Sequence, residues 1–216
     1  MVNCIHNMSI ISVEGSIGAG KTTFLKEVQK AGYHVLFEPV DSWSSEMIDD
    51  LSMIELYYKD KAKYGFAFQM YVLQSRVQHL LAAIQNHKDT IIITERCPMS
   101  DSKIFAEMMH EQGIINDYSY SVYKKWYAFV QTILPPITGV VYLRVSPETC
   151  VQRIMKRNRN GESLIDSSYL NQLHNKHESW LMHPGDVPVC VVDGNGHVPN
   201  VAQLKEFIEE LASNSA

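Results

Sequence analysis

A glycine-rich segment near the N-terminus is the feature that most constrains how this chain can fold. Gly15–Thr22 reads Gly-Ser-Ile-Gly-Ala-Gly-Lys-Thr and matches the pattern G-x-x-x-x-G-K-[ST] at every specified position. The apolar run Met8–Glu14 before it predicts a strand, and the period of the residues from Lys21 predicts a helix. Between a strand and a helix, glycines let backbone N–H groups face phosphate oxygens, Lys21 reaches the β- and γ-phosphates, and the Thr22 hydroxyl can bind Mg²⁺. The segment predicts nucleotide binding, but GTPases, ATPases and small-molecule kinases all carry it.

The rest of the chain alternates short β-branched runs with longer segments of helical period, which is typical of a parallel sheet built from βα units. The predicted strands are Met8–Glu14, His34–Phe37, Thr90–Glu95, Val140–Val145 and Pro188–Val192. The predicted helices run from Lys21, from about Met53 to Gln85, from Asp101 to His110 and from Ser119 to Thr132, and three more begin at Pro147, Ser167 and Asn200. We therefore expect an α/β fold with a five-stranded parallel sheet flanked by helices. No repeat or linker divides the chain, so residues 1–216 are expected to form a single domain.

Composition and charge disfavour several classes of protein. The 216 residues carry 19 Lys and Arg against 24 Asp and Glu, and the formal charge of −5 has the wrong sign for binding nucleic acid through its phosphates. No apolar run approaches the roughly 20 residues needed to cross a bilayer, and no secretory signal is recognisable. The four cysteines are scattered without a C-x-x-C pair, so no zinc site is indicated. We expect a cytoplasmic protein without nucleic-acid or membrane partners, although a mitochondrial or viral origin stays open.

Two carboxylates follow predicted strands at the edge where a parallel sheet binds its ligand. Glu38 follows the second strand, and Glu95 closes the third with Arg96 directly after it. Beside a phosphate loop, one carboxylate could hold the metal and the other could accept a proton. The alternative is that both are solvated loop residues.

Three arginines have the spacing R-x-x-x-R-x-R in the C-terminal half of the chain. Arg153 and Arg157 share a helical face, and Arg159 comes from the turn beyond. One interpretation is a solvated basic helix end. The other is a lid over about residues 153–164, whose arginines neutralise the charge that spreads over a transferring phosphoryl group.

Together these motifs resemble the deoxyribonucleoside kinase family. The segments that carry the resemblance are Gly15–Thr22, Glu38-Pro39-Val40 with Trp43, Phe68-Gln69, Glu95-Arg96 followed by Asp101, the three arginines, Tyr142-Leu143 with Ser146–Cys150, and His177–Leu181. The resemblance runs from about Ile10 to the last helix and leans towards members that prefer cytosine and purine nucleosides. It implies a P-loop kinase fold with an arginine-rich lid. It also implies transfer of the γ-phosphate of ATP, with Mg²⁺, to the 5′-hydroxyl of a deoxyribonucleoside.

The resemblance implies roles for individual residues. Glu38 is the base that accepts the proton of the 5′-hydroxyl, Arg96 steadies that hydroxyl and the phosphate, and Glu95 helps to hold Mg²⁺. The residues expected to contact ATP are Gly15, Ser16, Ile17, Gly18, Ala19, Gly20, Lys21, Thr22, Thr23, Arg153, Arg157, Arg159 and Asp193. The residues expected to contact the nucleoside are Trp43, Tyr58, Gln69, Arg76, Arg96, Asp101, Phe105 and Glu162.

Within the nucleoside site, the resemblance separates contacts to the sugar from contacts to the base. Tyr58 and Glu162 match residues that bind the sugar 3′-hydroxyl, and Gln69 matches the side chain that pairs with the base edge. Trp43 and Phe105 match the aromatic walls, which hold any base by stacking.

Arg76 and Asp101 predict which bases are preferred. Arg76 lies two helical turns after Gln69 on the same face, and Asp101 opens the helix after the third strand. In the resembling cytosine and purine kinases, the matching positions form a charged pair at the base edge; the alternative is an exposed ion pair without a ligand. A carboxylate only accepts hydrogen bonds, so it suits the exocyclic amino group of cytosine or adenine and opposes the carbonyl of thymine. We expect deoxycytidine and purine deoxynucleosides to be better substrates than thymidine.

A homodimer is also expected, because family members pair through helices equivalent to Met53–Gln85 and Ser119–Thr132. The second of these helices carries five aromatic rings, which are more than one buried face needs. They are Tyr120, Tyr123, Trp126, Tyr127 and Phe129. The alternative is that the rings pack only within the monomer.

Two other functions remain open at this point. A nucleoside monophosphate kinase of the thymidylate type shares the loop and lid, but it commonly shows Asp-Arg in place of Glu95-Arg96 and needs extra cations for the acceptor's phosphate. A nucleotide-switched binding module of the small GTPase kind predicts an N-K-x-D loop, and its nearest match, Asn175–Glu178, lies in a helical pattern. A metal site at His174, His177 and His183 is disfavoured because no carboxylate or cysteine at ligand spacing completes it.

Overall fold

The computed structural model describes residues 9–45, 47–48, 51–87, 90–158, 165–183, 185, 187–196 and 199–213. Its strands, in chain order, are β1 Ile10–Glu14, β2 His34–Leu36, β3 Met47–Ile48, β4 Leu51–Ser52, β5 Ile92–Glu95, β6 Gly139–Arg144 and β7 Val189–Asp193. Five of them form one sheet in the order β2-β5-β1-β6-β7, with every pairing parallel. β3 and β4 form a separate antiparallel pair that the sequence did not predict. The α/β fold with a five-stranded parallel sheet is confirmed.

Helices occupy most of the remaining described chain. In order they are α1 Lys21–Lys30, α2 Val40–Ser45, α3 Met53–Lys59, α4 Lys61–Asn86, α5 Pro98–Ser100, a π-helical stretch Asp101–Ala106, α6 Glu107–Glu111, α7 Asp117–Ile133, α8 Pro147–Arg157, α9 Ser167–Leu181 and α10 Ala202–Ser213. The helix predicted from Asp101 therefore begins earlier, at Pro98, where the ring is tolerated in a first turn. None of the described helices has the length and apolar character needed to span a membrane.

The sheet is covered on both faces, and this explains why its strands are continuous apolar runs rather than alternating ones. All five residues of β1 are buried. On one face, Phe24 of α1 and Leu204 of α10 share a core with Ile11. On the other face, Leu80 of α4 shares a core with Ile10.

The prediction of one helix from Met53 to Gln85 is wrong, because α3 and α4 divide this region at Asp60. Asp60 has non-helical dihedral angles of φ −150° and ψ 88°, and its Oδ1 accepts a hydrogen bond from the N–H of Lys63 at 3.0 Å. The carboxylate thus satisfies one of the free donors at the start of α4 and caps a new helix. α3 has its own start, where Ser52 and Glu55 form a capping box.

The strand register places three polar segments at one edge of the sheet. Val13 of β1 lies beside Glu95 of β5, and Leu36 of β2 lies beside Thr94. Because these strands are parallel, the loop after β1, Glu38 after β2 and the end of β5 all emerge on the same side. This is the edge at which open parallel sheets bind their ligands.

The predicted lid falls partly outside the described residues. α8 ends at Arg157, and Asn158 after it adopts a left-handed φ of 50°. Arg159 and Glu162 lie outside the described residues. The lid over about residues 153–164 therefore stays a prediction.

Candidate active site

The phosphate loop connects β1 to α1 in a conformation that requires glycine. Gly18 and Gly20 have φ angles of 83° and 93°, in the left-handed region that side chains disfavour. A Cβ on Gly18 would also lie 2.7 Å from the carbonyl oxygen of Cys150. The loop leads directly into the N-terminus of α1, where free backbone N–H groups and the helix dipole attract an anion.

Lys21 is a buried cation at the start of α1. Its Nζ donates hydrogen bonds to the carbonyl oxygens of Gly15 at 3.2 Å and of Ser16 at 3.1 Å. Burial, with a smaller contribution from the charge of Arg96, lowers the pKa of Lys21 to about 8. A phosphate beside this ammonium would raise its pKa again, because an opposite charge at short range offsets burial.

Thr22 and Glu95 form the site best suited to a divalent cation. The Thr22 hydroxyl donates to both carboxylate oxygens of Glu95, at 2.9 and 3.1 Å. A hydroxyl and a carboxylate supply the oxygen ligands that Mg²⁺ prefers, and Mg²⁺ commonly takes only one or two ligands from the protein and the rest from phosphates and water. Among the described residues no group of three or more acidic, histidine or cysteine side chains could hold a metal.

Arg76 joins the two carboxylates that the sequence analysis assigned to different tasks. Its Nε donates to Asp101 Oδ2 at 2.8 Å, and its Nη2 donates to Asp101 Oδ1 at 3.3 Å and to Glu38 Oε1 at 2.8 Å. Its Nη1 donates to the carbonyl oxygen of Glu95 at 3.0 Å. The side chains of Arg76 and Asp101 are only 5% and 1% exposed. The pair is therefore buried in the pocket rather than exposed on the surface.

Glu38 lies between two guanidinium groups. Besides Arg76, the Nε of Arg96 lies 3.5 Å from Glu38 Oε1. Burial alone would raise the pKa of Glu38, but the charges of Arg76 and Arg96 outweigh it and hold the pKa below its ordinary value. The carboxylate is therefore ionised at neutral pH and can accept a hydrogen bond from an alcohol.

These groups line one cavity of about 420 Å³. The predicted site residues that line it are Ile17, Gly18, Lys21, Thr22, Glu38, Trp43, Tyr58, Gln69, Arg76, Glu95, Arg96, Asp101, Phe105 and Arg157. Trp43 meets Phe68 edge to face with centroids 6.3 Å apart, and Tyr57 stacks on Phe68 at 4.6 Å. The Nε2 of Gln69 donates to the backbone oxygen of Asp101 at 3.2 Å, which brings the amide to the charged edge of the cavity.

The lining residues that the sequence analysis did not assign to the site include Lys26, Tyr57, Met109 and Tyr169. Lys26 lies one helical turn after Thr22, a spacing that could have pointed to it. Tyr169 lies on α9, far from the other motifs in sequence, and only the folded chain brings it to the cavity.

A second cavity, of about 470 Å³, also borders the phosphate loop and shares Gly18 and Arg157 with the first. Its lining includes Gly18, Ala19, Gly20, Thr23, Arg153, Arg157, Gly194 and Gly196. The guanidinium of Arg153 donates to the carbonyl oxygens of Ala19 at 2.9 Å and Gly194 at 2.7 Å, so it ties the phosphate loop to the turn after β7. Asp193 supports that turn, because its Oδ1 accepts a hydrogen bond from the N–H of Asn195 at 2.9 Å.

A phosphate loop that faces two adjoining cavities, one of which contains a buried carboxylate, defines a phosphotransferase of the P-loop class. The loop is suited to the donor phosphates, and the carboxylate is suited to an acceptor hydroxyl. A sequence model of the deoxynucleoside kinase family matches residues 11–214. The chain belongs to the deoxynucleoside kinase family, and it is a kinase.

Individual relatives agree with this assignment. A probable deoxycytidine kinase of fowlpox virus is 34% identical over 214 residues, covering 93% of this chain and 88% of that protein. Deoxycytidine kinase of Mus musculus is 32% identical over 93% of this chain and 91% of that protein. Mitochondrial thymidine kinase 2 of Macaca fascicularis is 32% identical over 92% of this chain and 75% of that protein. The comparisons do not favour a monophosphate kinase, and the small GTPase interpretation is wrong.

Proposed function

We propose that this kinase transfers the γ-phosphate of ATP to the 5′-hydroxyl of a deoxyribonucleoside, and that deoxycytidine and purine deoxynucleosides are preferred to thymidine. The observation that carries the proposal is the Arg76 side chain, which hydrogen-bonds to Glu38 and to Asp101 within one cavity. The same cavity reaches Lys21 of the phosphate loop. It therefore has a place for a hydroxyl, a base edge and a phosphate in one continuous space.

The donor phosphates are held by the loop and its neighbours. Backbone N–H groups before α1 and the Lys21 ammonium bind the β- and γ-phosphates. Thr22 and Glu95 would hold Mg²⁺, which neutralises phosphate charge during transfer. Arg157 lines both cavities, where it can contact the transferring group. The nucleoside of ATP would occupy the second cavity, which is lined by Arg153 and Thr23 and lies next to the turn that Asp193 supports.

The acceptor hydroxyl is oriented by Glu38 and Arg96. The ionised carboxylate accepts a hydrogen bond from the 5′-hydroxyl, turns its oxygen towards the γ-phosphate and receives its proton. Arg96 lies beside Glu38 and supplies positive charge where the phosphoryl group develops negative charge.

The nucleoside is held by an aromatic slot and one charged edge. Trp43, Phe68 and Phe105 line the slot, and Gln69 and Asp101 lie at its edge. The Asp101 carboxylate can accept a hydrogen bond from an exocyclic amino group, whereas thymine would place a carbonyl oxygen against it. Tyr58, which lines the cavity, and Glu162, outside the described residues, are the proposed contacts of the sugar 3′-hydroxyl.

The reaction class is tested by supplying four deoxynucleosides and four deoxynucleoside monophosphates separately with ATP and Mg²⁺ and identifying the products by chromatography. We expect the nucleosides to be converted to 5′-monophosphates and the monophosphates to remain unchanged. Conversion of a monophosphate to a diphosphate at the higher rate would overturn the proposal.

The enzyme is also proposed to be a homodimer in the cytoplasm. Trp126, Phe129 and Ile133 of α7 are 52%, 51% and 41% exposed, which is unusual for large apolar side chains that lie together. With α4 they line an apolar groove of about 700 Å³. A second copy of the chain would bury this face through the same two helices on each side. Sedimentation at micromolar concentration should give twice the mass of one chain. After both Trp126 and Phe129 are replaced with serine, it should give the mass of one chain. A single-chain mass for the unaltered protein would contradict the dimer.

A further inference from the structure

A fourth acidic side chain lies buried beside Arg96 and has none of the roles assigned above. Glu14 ends β1, and its side chain has no exposure to solvent. Its Oε1 accepts hydrogen bonds from the Ser12 hydroxyl at 2.5 Å and from the Cys97 thiol at 3.4 Å. Its Oε2 has no hydrogen-bond partner among the described residues and lies 3.7 Å from Nη1 of Arg96. Burial raises the pKa of Glu14 above its ordinary value, and the charge of Arg96 is the largest influence that favours the ionised form. A fully buried acid is rare unless a cation balances it, and Arg96 is that cation.

Arg96 is attracted to two carboxylates without a close hydrogen bond to either. It lies 3.5 Å from Glu38 through Nε and 3.7 Å from Glu14 through Nη1, both longer than the roughly 2.7–3.2 Å of an N–H···O hydrogen bond. Its Nη1 has no hydrogen-bond partner within the described part of the chain. The guanidinium lies over the ring of Phe105, 4.8 Å from its centre. The side chain, 2% exposed, thus lies between two carboxyl groups and one aromatic face.

We propose that Glu14 is a positioning residue for Arg96 in the phosphoryl transfer described above. With only Glu38 opposite it, the guanidinium would close into a direct hydrogen-bonded pair with Glu38 Oε1, which already accepts from Arg76, and fewer of its donors would remain for the phosphate. Glu14 attracts Arg96 from the other side and keeps it between the two carboxylates. The Arg96 donors then remain available to the phosphate. The inference rests on the proposed function.

The test is Glu14→Gln, which keeps the size of the side chain and removes its charge. We expect kcat for deoxycytidine to fall about 10- to 100-fold, as for misplaced catalytic groups, while KM for ATP and for deoxycytidine changes less than about twofold. Ser12→Ala is the matched control, because it removes a hydrogen bond to Glu14 but keeps the charges, and it should retain most of the turnover. A kcat of Glu14→Gln within twofold of the unaltered enzyme would overturn the proposal.

A double-substitution cycle separates positioning from general damage. If Glu14 acts through Arg96, adding Glu14→Gln to Arg96→Met should cause no further loss of kcat, whereas independent roles give losses that multiply. If Glu14→Gln alone does not fold because Arg96 is left without a balancing charge, the double variant removes both charges and should fold. A double variant less active than Arg96→Met would contradict the proposal. Absence of nucleoside phosphorylation by the unaltered enzyme would concern only the proposed function.

Discussion

Replacing Arg76 with methionine should destabilise the protein more than replacing Arg76 and Asp101 together. Arg76 makes two hydrogen bonds to Asp101, one to Glu38 and one to the backbone of Glu95. Without Arg76, the Asp101 carboxylate is left 1% exposed and without its cation, whereas Glu38 is 17% exposed and keeps Arg96 at 3.5 Å. The loss should therefore come mainly from Asp101. Breaking a buried pair on one side costs about 3–5 kcal/mol of unfolding free energy.

The double variant Arg76→Met/Asp101→Ala also removes the Asp101 charge, which the single variant leaves buried and unpaired. It should recover about 2 kcal/mol of the unfolding free energy, because apolar replacements of both partners leave no buried charge unpaired. Urea denaturation of the three proteins, followed by tryptophan fluorescence, measures the differences. A single variant within about 1 kcal/mol of the unaltered protein, or a double variant less stable than the single one, would refute the reasoning.

The same pair of proteins tests the specificity argument. The double variant should phosphorylate thymidine with a higher kcat/KM than the unaltered enzyme, because thymine no longer meets a carboxylate. Its kcat for deoxycytidine should fall, because Glu38 also loses its hydrogen bond from Arg76. An unchanged kcat/KM for thymidine would show that Arg76 and Asp101 do not determine which base is preferred.

Two further predictions concern Glu38. Glu38→Gln should retain ATP binding, measured by calorimetry, but lose about 10²–10⁴-fold in kcat, because the amide cannot take the proton. The control is Glu27→Gln, on the exposed face of α1. Near-normal turnover of Glu38→Gln would assign the base role to another group. The pKa of Glu38 is held below the ordinary value, so a fall in pH protonates it only below that value. The kcat/KM for deoxycytidine should therefore stay flat as the pH falls from 7 to about 5.5, and a loss of activity with a midpoint above pH 6 would contradict the pKa direction.

The sheet and the phosphate loop were predictable because local sequence determines them. Runs such as Ile91-Ile92-Ile93 suit strands buried on both faces, and the glycine spacing suits only a tight turn before a helix. The break at Asp60 was missed because Lys59 and Lys61 continue a helical pattern on both sides. The non-helical backbone of Asp60 and its capping hydrogen bond, which only the folded chain shows, mark the start of a new helix.

The types of residue in the pocket were predictable, but the contacts between them were not. Helical spacing put Arg76 on the face of Gln69, the family resemblance implied its pair with Asp101, and the structure places the two in contact. The hydrogen bond from Arg76 to Glu38 joins residues on separate elements, so no local pattern indicates it. The contact of Glu14 with Arg96 was even less predictable from the sequence. From the sequence Glu14 is the last residue of a strand, and only the folded chain shows that it is fully buried against Arg96.

The most direct test of the account is the ratio of kcat/KM for deoxycytidine to that for thymidine, measured with the unaltered enzyme, ATP and Mg²⁺ under one set of conditions. An acceptor placed against the buried Asp101 carboxylate should cost about 2–4 kcal/mol, so the ratio should be about 30 or more. Thymidine as the better substrate would contradict the assignment of Arg76 and Asp101 to the base edge.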